Sequence, residues 1–130
     1  MGIARFEELE NVLFNICLDV DSVLEDEFGS AYEVHPNRPP RGKAANGILD
    51  GLFRVTTSFT PGYGSNFGRG YLVIIEIITL DVVDVEFSKR ATERGIKIFE
   101  EKLREKFPGK KLCIVYDINV YKIVGDFFSN

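Results

Sequence analysis

The spacing of apolar and polar positions divides the chain into two helical stretches and several strands. Residues 3–28 place apolar side chains at intervals of three and four, which is the pattern of one long amphipathic helix. Residues 52–60 alternate between apolar and polar positions, which predicts a strand with one solvated face. Residues 71–80 are apolar on both faces, as in a central strand. A glycine-rich connector links these two strands, so they are expected to form an antiparallel hairpin.

The second half of the chain predicts a strand–helix–strand unit. Ser88 is a candidate N-cap for a helix that ends before Pro108 and Gly109. The apolar run at residues 112–116 predicts a buried strand. Because a strand, a helix and a strand in succession usually form a crossover, strands 71–80 and 112–116 are expected to run parallel.

Together these elements predict an α+β fold with α/β-like character. We expect a mixed sheet of three or four strands, made of the antiparallel hairpin and one parallel crossover strand, with two long helices packed against it. Residues 31–35 predict a further short strand, and residues 120–128 predict a short C-terminal helix. The 130 residues are expected to form a single domain, with a flexible basic loop rich in proline and glycine at about 36–51.

Some acidic residues of the first helix occupy unusual positions. On a helical projection, Glu10 and Asp21 fall about 40° and 60° from the centre of the apolar stripe. Glu25, Asp26 and Glu27 crowd the last turn, where the helix dipole disfavours anions. Either this helix end is solvated and frayed, or its charge is met by a basic partner or a bound cation.

The composition excludes several familiar chemistries. One histidine, His35, is present, and the two cysteines, Cys17 and Cys113, are far apart in sequence. These residues offer no ligand set for a structural zinc ion and no support for a Ser-His-Asp or Cys-His centre. We expect both cysteines to be buried free thiols in a reducing compartment.

The sequence also bears on the location of the protein. Its first eight residues are acidic and predict no signal peptide. The longest apolar run, at residues 71–75, is interrupted by Glu76, so no membrane-spanning segment is predicted. We therefore expect a cytoplasmic protein with no membrane partner.

Charge is distributed unevenly along the chain. The formal net charge is −4, but residues 1–34 carry −8, residues 35–70 carry +4, and the remainder is balanced. The basic segment, residues 35–70, either lies against the acidic first helix or binds an anionic ligand such as phosphate or nucleic acid. On the second interpretation, weak polyanion binding is expected from its five cations, Arg38, Arg41, Lys43, Arg54 and Arg69.

Two groups of carboxylates are candidates for metal or acid–base chemistry. Asp81 and Asp84 follow one strand and Asp117 follows another, so the three either form polar strand ends or present oxygen ligands to Mg²⁺. Glu76 interrupts an apolar strand, where an unpaired carboxylate would be costly. It is therefore either paired with Arg54 across the hairpin or part of a site.

By element order, residues 3–117 resemble the core of the PD-(D/E)XK nuclease-like fold. The position of Asp50 matches the aspartate of that family and Glu76 matches its glutamate, while Glu10 or Asp21 matches an additional helix acid. The resemblance implies a divergent Mg²⁺-dependent nuclease or phosphodiesterase as one interpretation of the sequence.

The alternative interpretation is a binding or assembly module without enzymatic activity. Ile78 stands where the nuclease family has its lysine, so a member of that type would be inactive. The sequence contains no nucleophile–base pair, metal-ligand cluster or cofactor motif. We favour the binding module, which needs no cofactor and engages its ligand through the basic segment.

The breadth of the first apolar stripe predicts self-association. Phe14 and Leu18 extend the stripe on one side, and Val12 and Val23 extend it on the other. The stripe is therefore wider than the roughly 100° that a helix needs to cover one core. We expect a homodimer, unless the C-terminal tail folds back over this surplus.

Overall fold

The computed structural model describes residues 3–62 and 68–125. In chain order its elements are α1 (Ile3–Phe28), β1 (Phe53–Thr60), β2 (Gly70–Ile77), α2 (Val85–Lys106), β3 (Leu112–Asp117) and β4 (Val120–Gly125). The four strands form one sheet in the order β1-β2-β4-β3, and every neighbouring pair is antiparallel. The predicted α+β class, with two long helices and a β1–β2 hairpin, is confirmed.

The predicted parallel strand pair is wrong. β4 lies between β2 and β3 and pairs antiparallel with both, so β2 and β3 share a direction without being neighbours. Residues 120–125, predicted as the start of a C-terminal helix, form this inserted strand because the chain reverses in a tight turn at Ile118 and Asn119. The end of the predicted tail helix, at residues 126–128, lies outside the described residues. Residues 31–35 form no strand.

The core lies between the two helices and one face of the sheet. α1 packs against β1 and α2, and its apolar stripe is buried as the spacing predicts. Phe28, at the end of α1, brings its ring against those of Phe53 and Phe87 at centroid distances of 6.5 and 5.6 Å. α2 passes so close to β2 that a Cβ on Gly95 would lie 2.5 Å from Ile75.

α2 begins earlier than predicted. Asp84, rather than Ser88, is the N-cap, and its carboxylate accepts a hydrogen bond of 3.0 Å from the amide of Phe87. An aspartate also places negative charge at the positive end of the helix dipole. The apolar residues that follow the cap extend the helix back to Val85.

The two cysteines differ in their exposure. Cys17 is a buried free thiol, as predicted, and burial raises its pKa to about 12. Cys113 is also a free thiol, but it is exposed, so that part of the prediction is wrong. Its strand, β3, is at the edge of the sheet, and Cys113 alternates with the core-facing Ile114.

Within the described residues, neither α1 nor α2 contains a stretch apolar enough to cross a membrane.

Candidate functional site

The loop at residues 36–51 is anchored by the side chain of Arg38. This segment contains turns and bends rather than regular secondary structure. The Arg38 guanidinium donates hydrogen bonds of 2.7–2.9 Å to the main-chain carbonyls of Ile48, Asp50, Gly51 and Phe53. Arg38 thus ties both ends of the loop to the start of β1.

Two further cations of the basic segment have partners within the protein. Arg41 donates to the Asp26 carboxylate of α1 at 2.6 Å and also reaches Ser22. Arg54 forms a two-bond pair with Glu76 across the β1–β2 hairpin, with both N–O distances 2.9 Å. The loop therefore lies against the acidic helix, which was one of the two interpretations of its charge, and Glu76 is paired with Arg54.

The remaining two predicted ligand-binding cations, Lys43 and Arg69, are exposed to solvent. Anion binding by the basic segment stays a prediction, and these two side chains are the ones most available for it.

The structure places the two predicted nuclease acids on opposite sides of the sheet. Phe53 and Val55 face the helices, so the intervening Arg54 and its partner Glu76 face the other way. Asp50 is buried on the helix side, where its carboxylate accepts hydrogen bonds from loop amides. The structure therefore does not bring Asp50 and Glu76 together around one metal ion.

The three aspartates predicted at the strand ends have separate roles. Asp81 accepts a hydrogen bond of 3.3 Å from the amide of Glu33, and Asp84 caps α2. Asp117 is buried and forms an ion pair of 2.9 Å with Lys122. Among residues 3–62 and 68–125, no group of three or more His, Cys, Asp or Glu side chains is arranged to hold a metal ion.

Three other carboxylates meet beneath the loop. Glu25 accepts hydrogen bonds from the amides of Leu52 and Phe53, at 2.6 and 3.1 Å. Asp50 accepts bonds of 3.0 Å from two further loop amides. The third carboxylate, Asp21, is 1% exposed, and its Oδ2 has no hydrogen-bond partner among the described residues.

The surroundings of Asp21 favour its neutral form. Burial, followed by the charge of Glu25, raises its pKa to about 8, with a smaller contribution from Asp50. Arg38 and Arg41 act in the opposite direction. Burial also raises the pKa of Glu25, against the effect of its two amide donors. Asp21 is therefore mostly protonated at neutral pH and ionises when the pH rises above about 8.

An open pocket of about 340 Å³ lies between α1 and the loop. Asp21 and Ser22 line it from the helix, and Arg41, Asn46 and Asp50 line it from the loop. We call this the Asp21 pocket. The unusual position of Asp21 beside the apolar stripe was the one sequence signal for it, since the residues that complete the pocket are distant in sequence.

A second concave surface is an apolar groove of about 770 Å³ at the far end of the sheet. β2, the start of α2 and the β3–β4 turn border it. Its apolar lining includes Ile74, Val85, Tyr116 and Val120, all of which are exposed. Sequence analysis missed this groove because it predicted neither β4 nor the turn that shapes it.

The turn beside the groove holds an isoleucine in an unfavourable conformation. Ile118 and Asn119 have φ angles of 47° and 69°, the positive pair that a type I′ hairpin turn requires. Asparagine tolerates this region, but a β-branched side chain is an outlier there. Ile118 is nevertheless 61% exposed, so core packing does not account for its presence.

Comparison with known proteins gives the family of this chain. Residues 4–125 match a family model whose description reads "Uncharacterised protein". The chain belongs to this family. A relative from Borreliella burgdorferi, with the same kind of description, is 68% identical over 128 residues, which span 98% of this chain and all of the relative. No solved structure matches the chain. These descriptions name no activity, so function is inferred below from the geometry of the two concave surfaces.

Proposed function

We propose that this protein is an assembly module that forms a homodimer through the surface around the apolar groove. Seven of the ten exposed large apolar side chains of the described residues lie on this surface or next to it along the chain. They are Ile74, Leu80, Val82, Val85, Tyr116, Ile118 and Val120, and we call them the apolar surface.

The extent of the apolar surface is the observation that carries the proposal. Val82 and Val85 are 96% and 77% exposed. From their exposed fractions, the seven residues together present on the order of 700 Å² to solvent, and four of them line the groove itself. The largest apolar patch on a monomer is typically roughly 300–600 Å². The area of the seven residues is close to the roughly 800 Å² that each partner buries in a stable interface.

The charges at the groove favour a second copy of the chain as the partner. Lys89 and Glu93 lie one helical turn apart on α2, and both line the groove. A two-fold axis places the same patch of both subunits face to face. An axis that passes between these two residues would bring Lys89 of one subunit near Glu93 of the other, which makes the patch compatible in charge with a second copy of itself.

The strained turn gives further support. A non-glycine residue held in a sparsely populated backbone region costs about 1–3 kcal/mol, and such strain concentrates at functional positions. In the monomer the Ile118 side chain makes few apolar contacts that could offset this strain, because it is largely exposed. Burial of this side chain against a second subunit would offset the strain by about 1.5–3 kcal/mol.

The predicted dimer surface therefore changes. The extra apolar side chains of α1 are partly covered within the monomer, because Val12 and Val23 pack against the core and Leu18 lines the Asp21 pocket. Phe14 remains exposed on α1. The groove offers more apolar surface than Phe14 alone, so we place the interface there.

Sedimentation velocity at about 1–100 µM tests the proposal, with three variants. Val82→Asp should convert the dimer to a monomer without loss of helical circular dichroism, since Val82 makes almost no contact in the monomer. Ile118→Gly should also abolish the dimer while leaving the monomer at least as stable, because glycine adopts positive φ without strain. Leu49→Asp is the matched control: Leu49 is 52% exposed but lies outside the apolar surface, so this variant should remain dimeric.

A wild-type protein that sediments as a monomer over the whole concentration range would overturn the proposal. So would a Val82→Asp variant that dimerises as strongly as the wild type.

A further inference from the structure

The Asp21 pocket combines a buried, unpartnered carboxylate with open space beside it. Asp21 lines the pocket, and its Oδ2 has no hydrogen-bond partner among residues 3–62 and 68–125. The neighbouring carboxylates do not share this property, because backbone amides donate to both Glu25 and Asp50. A buried oxygen without a donor costs free energy, and a ligand that donates a hydrogen bond recovers it.

We propose that the pocket binds a small organic cation, with an ammonium group that donates to Asp21 Oδ2. The inference does not depend on the proposed dimer, since the pocket and the apolar groove share no lining residue.

The charges around Asp21 favour a cationic ligand. The charged groups that face it are Glu25 on its own helix, and Arg38, Arg41 and Asp50 on the loop. With Asp21 ionised, three carboxylates oppose two guanidinium groups, and one of these, Arg41, is already paired with Asp26, so the pocket is net negative. Without a ligand, a proton on Asp21 removes one of these negative charges. A bound ammonium group would offset that charge instead, so binding should release a proton.

The donor set favours an ammonium group over a divalent metal ion. Mg²⁺ needs about six oxygen ligands in octahedral geometry. Here two of the three carboxylates already accept amide hydrogen bonds, and no metal-binding group of three acidic or other ligating side chains is formed among the described residues. An ammonium group has three donors, and Asp21 Oδ2 is an acceptor without a donor among the described residues. Ser22 and Asn46 also line the pocket; their side-chain oxygens already accept one hydrogen bond each, from Arg41 and from the amide of Ile48, and each keeps a second lone pair.

The size and the apolar part of the pocket restrict the ligand further. The volume of about 340 Å³ is at the lower end of the roughly 300–1,000 Å³ range of small-molecule sites. Leu18 and Ala44 contribute apolar surface to the lining. A short alkyl chain attached to the ammonium group matches this combination, so the ligand class is a short-chain primary alkylammonium.

Titration of the full chain with n-butylammonium chloride tests the proposal. Backbone amide chemical shifts in ¹H–¹⁵N NMR spectra, recorded at constant ionic strength, report the binding. We expect saturable shifts at the loop amides of Gly42 and Ala44, with at least tenfold tighter binding at pH 8.5 than at pH 6.5. The pH effect follows because the ligand needs Asp21 ionised, and the pKa of that group is raised to about 8.

Two variants separate the site from general attraction to an acidic helix. Asp21→Asn keeps the shape of the side chain but removes its charge, so binding should weaken at least tenfold. Asp19→Asn removes an exposed charge two residues earlier on the same helix and should leave binding unchanged. Thermal unfolding of each variant without ligand verifies that it is folded.

Three results would overturn the inference. The first is the absence of saturable chemical-shift changes up to about 10 mM n-butylammonium. The second is an Asp21→Asn variant that binds with the same affinity as the wild type. The third is that MgCl₂ alone causes the same chemical-shift changes with a higher affinity than n-butylammonium. The last result would assign the pocket to a metal ion. None of these measurements depends on the oligomeric state, so the failure of this inference can be distinguished from failure of the proposed dimer.

Discussion

Arg38 is only half-buried, yet removal of its side chain should clearly destabilise this protein. Its guanidinium donates to four main-chain carbonyls at 2.7–2.9 Å, and these carbonyls belong to the end of the loop and the start of β1. Arg38→Ala leaves these acceptors without their donor. It also removes a charge that lowers the pKa of the buried Asp21.

The expected loss of stability follows from the hydrogen bonds. A bond from a charged donor contributes about 1.5–3 kcal/mol, and a buried acceptor left unpaired costs about 1–3 kcal/mol. Water can reach part of this half-buried site, and contacts made by one side chain are not additive. We therefore expect Arg38→Ala to lower the free energy of unfolding by about 3–5 kcal/mol, out of a total of about 5–15 kcal/mol.

Urea unfolding followed by circular dichroism measures this loss. Arg38→Lys should lie between the wild type and Arg38→Ala, because a single ammonium group can replace Nη2, which three of the carbonyls accept from, but not the separate Nε donor to Gly51. Lys43→Ala, at an exposed position in the same loop, is the control and should change stability by less than about 0.5 kcal/mol. A loss below about 1 kcal/mol for Arg38→Ala would show that the loop is not anchored as described.

Other measurements test the site, the thiols and the basic segment. Because the folded-state pKa of Asp21 is raised from 3.8 to about 8, the wild type should lose stability as pH rises between these values. Asp21→Asn should reduce that dependence, to which the raised pKa of Glu25 also contributes. It should be more stable than the wild type at pH 8 by several kcal/mol, because each unit of pKa difference corresponds to about 1.4 kcal/mol; equal pH profiles would contradict this. A thiol reagent should modify Cys113 rapidly and Cys17 only on unfolding, and equal rates in the native protein would refute the assigned burial. Heparin should bind weakly at about 50 mM salt and less at higher salt, with Lys43→Ala/Arg69→Ala weaker still, and no binding would refute polyanion recognition.

The elements that could be predicted from the sequence are those whose pattern is local and repeated. The stripe of α1 recurs over seven turns, so each position supports the same interpretation, and the helix ends at Gly29 as expected. β1 was readable because its alternation separates Phe53 and Val55 from polar residues on the solvated face. The pairing of Arg54 with Glu76 was one of two alternatives left open by the sequence, and the register of the hairpin, which places these residues opposite each other, decided it.

Which strands became neighbours depended on contacts between distant parts of the chain. Residues 120–125 are a short, mostly apolar segment, for which periodicity cannot distinguish a strand from a helix. Their placement between β2 and β3 depends on the strained turn at Ile118 and on pairing with residues distant in sequence. The error in the predicted topology and the failure to foresee the groove have this one cause.

The Asp21 pocket was also beyond the reach of the sequence alone. The position of Asp21 beside the apolar stripe marked this residue as unusual. The charges that surround it, however, belong partly to the loop that folds over it. That loop has no periodic pattern, and the contacts of Arg38 with distant carbonyls hold it in place. Long-range hydrogen bonds of this kind leave no local signature, so only the folded chain shows which charges meet.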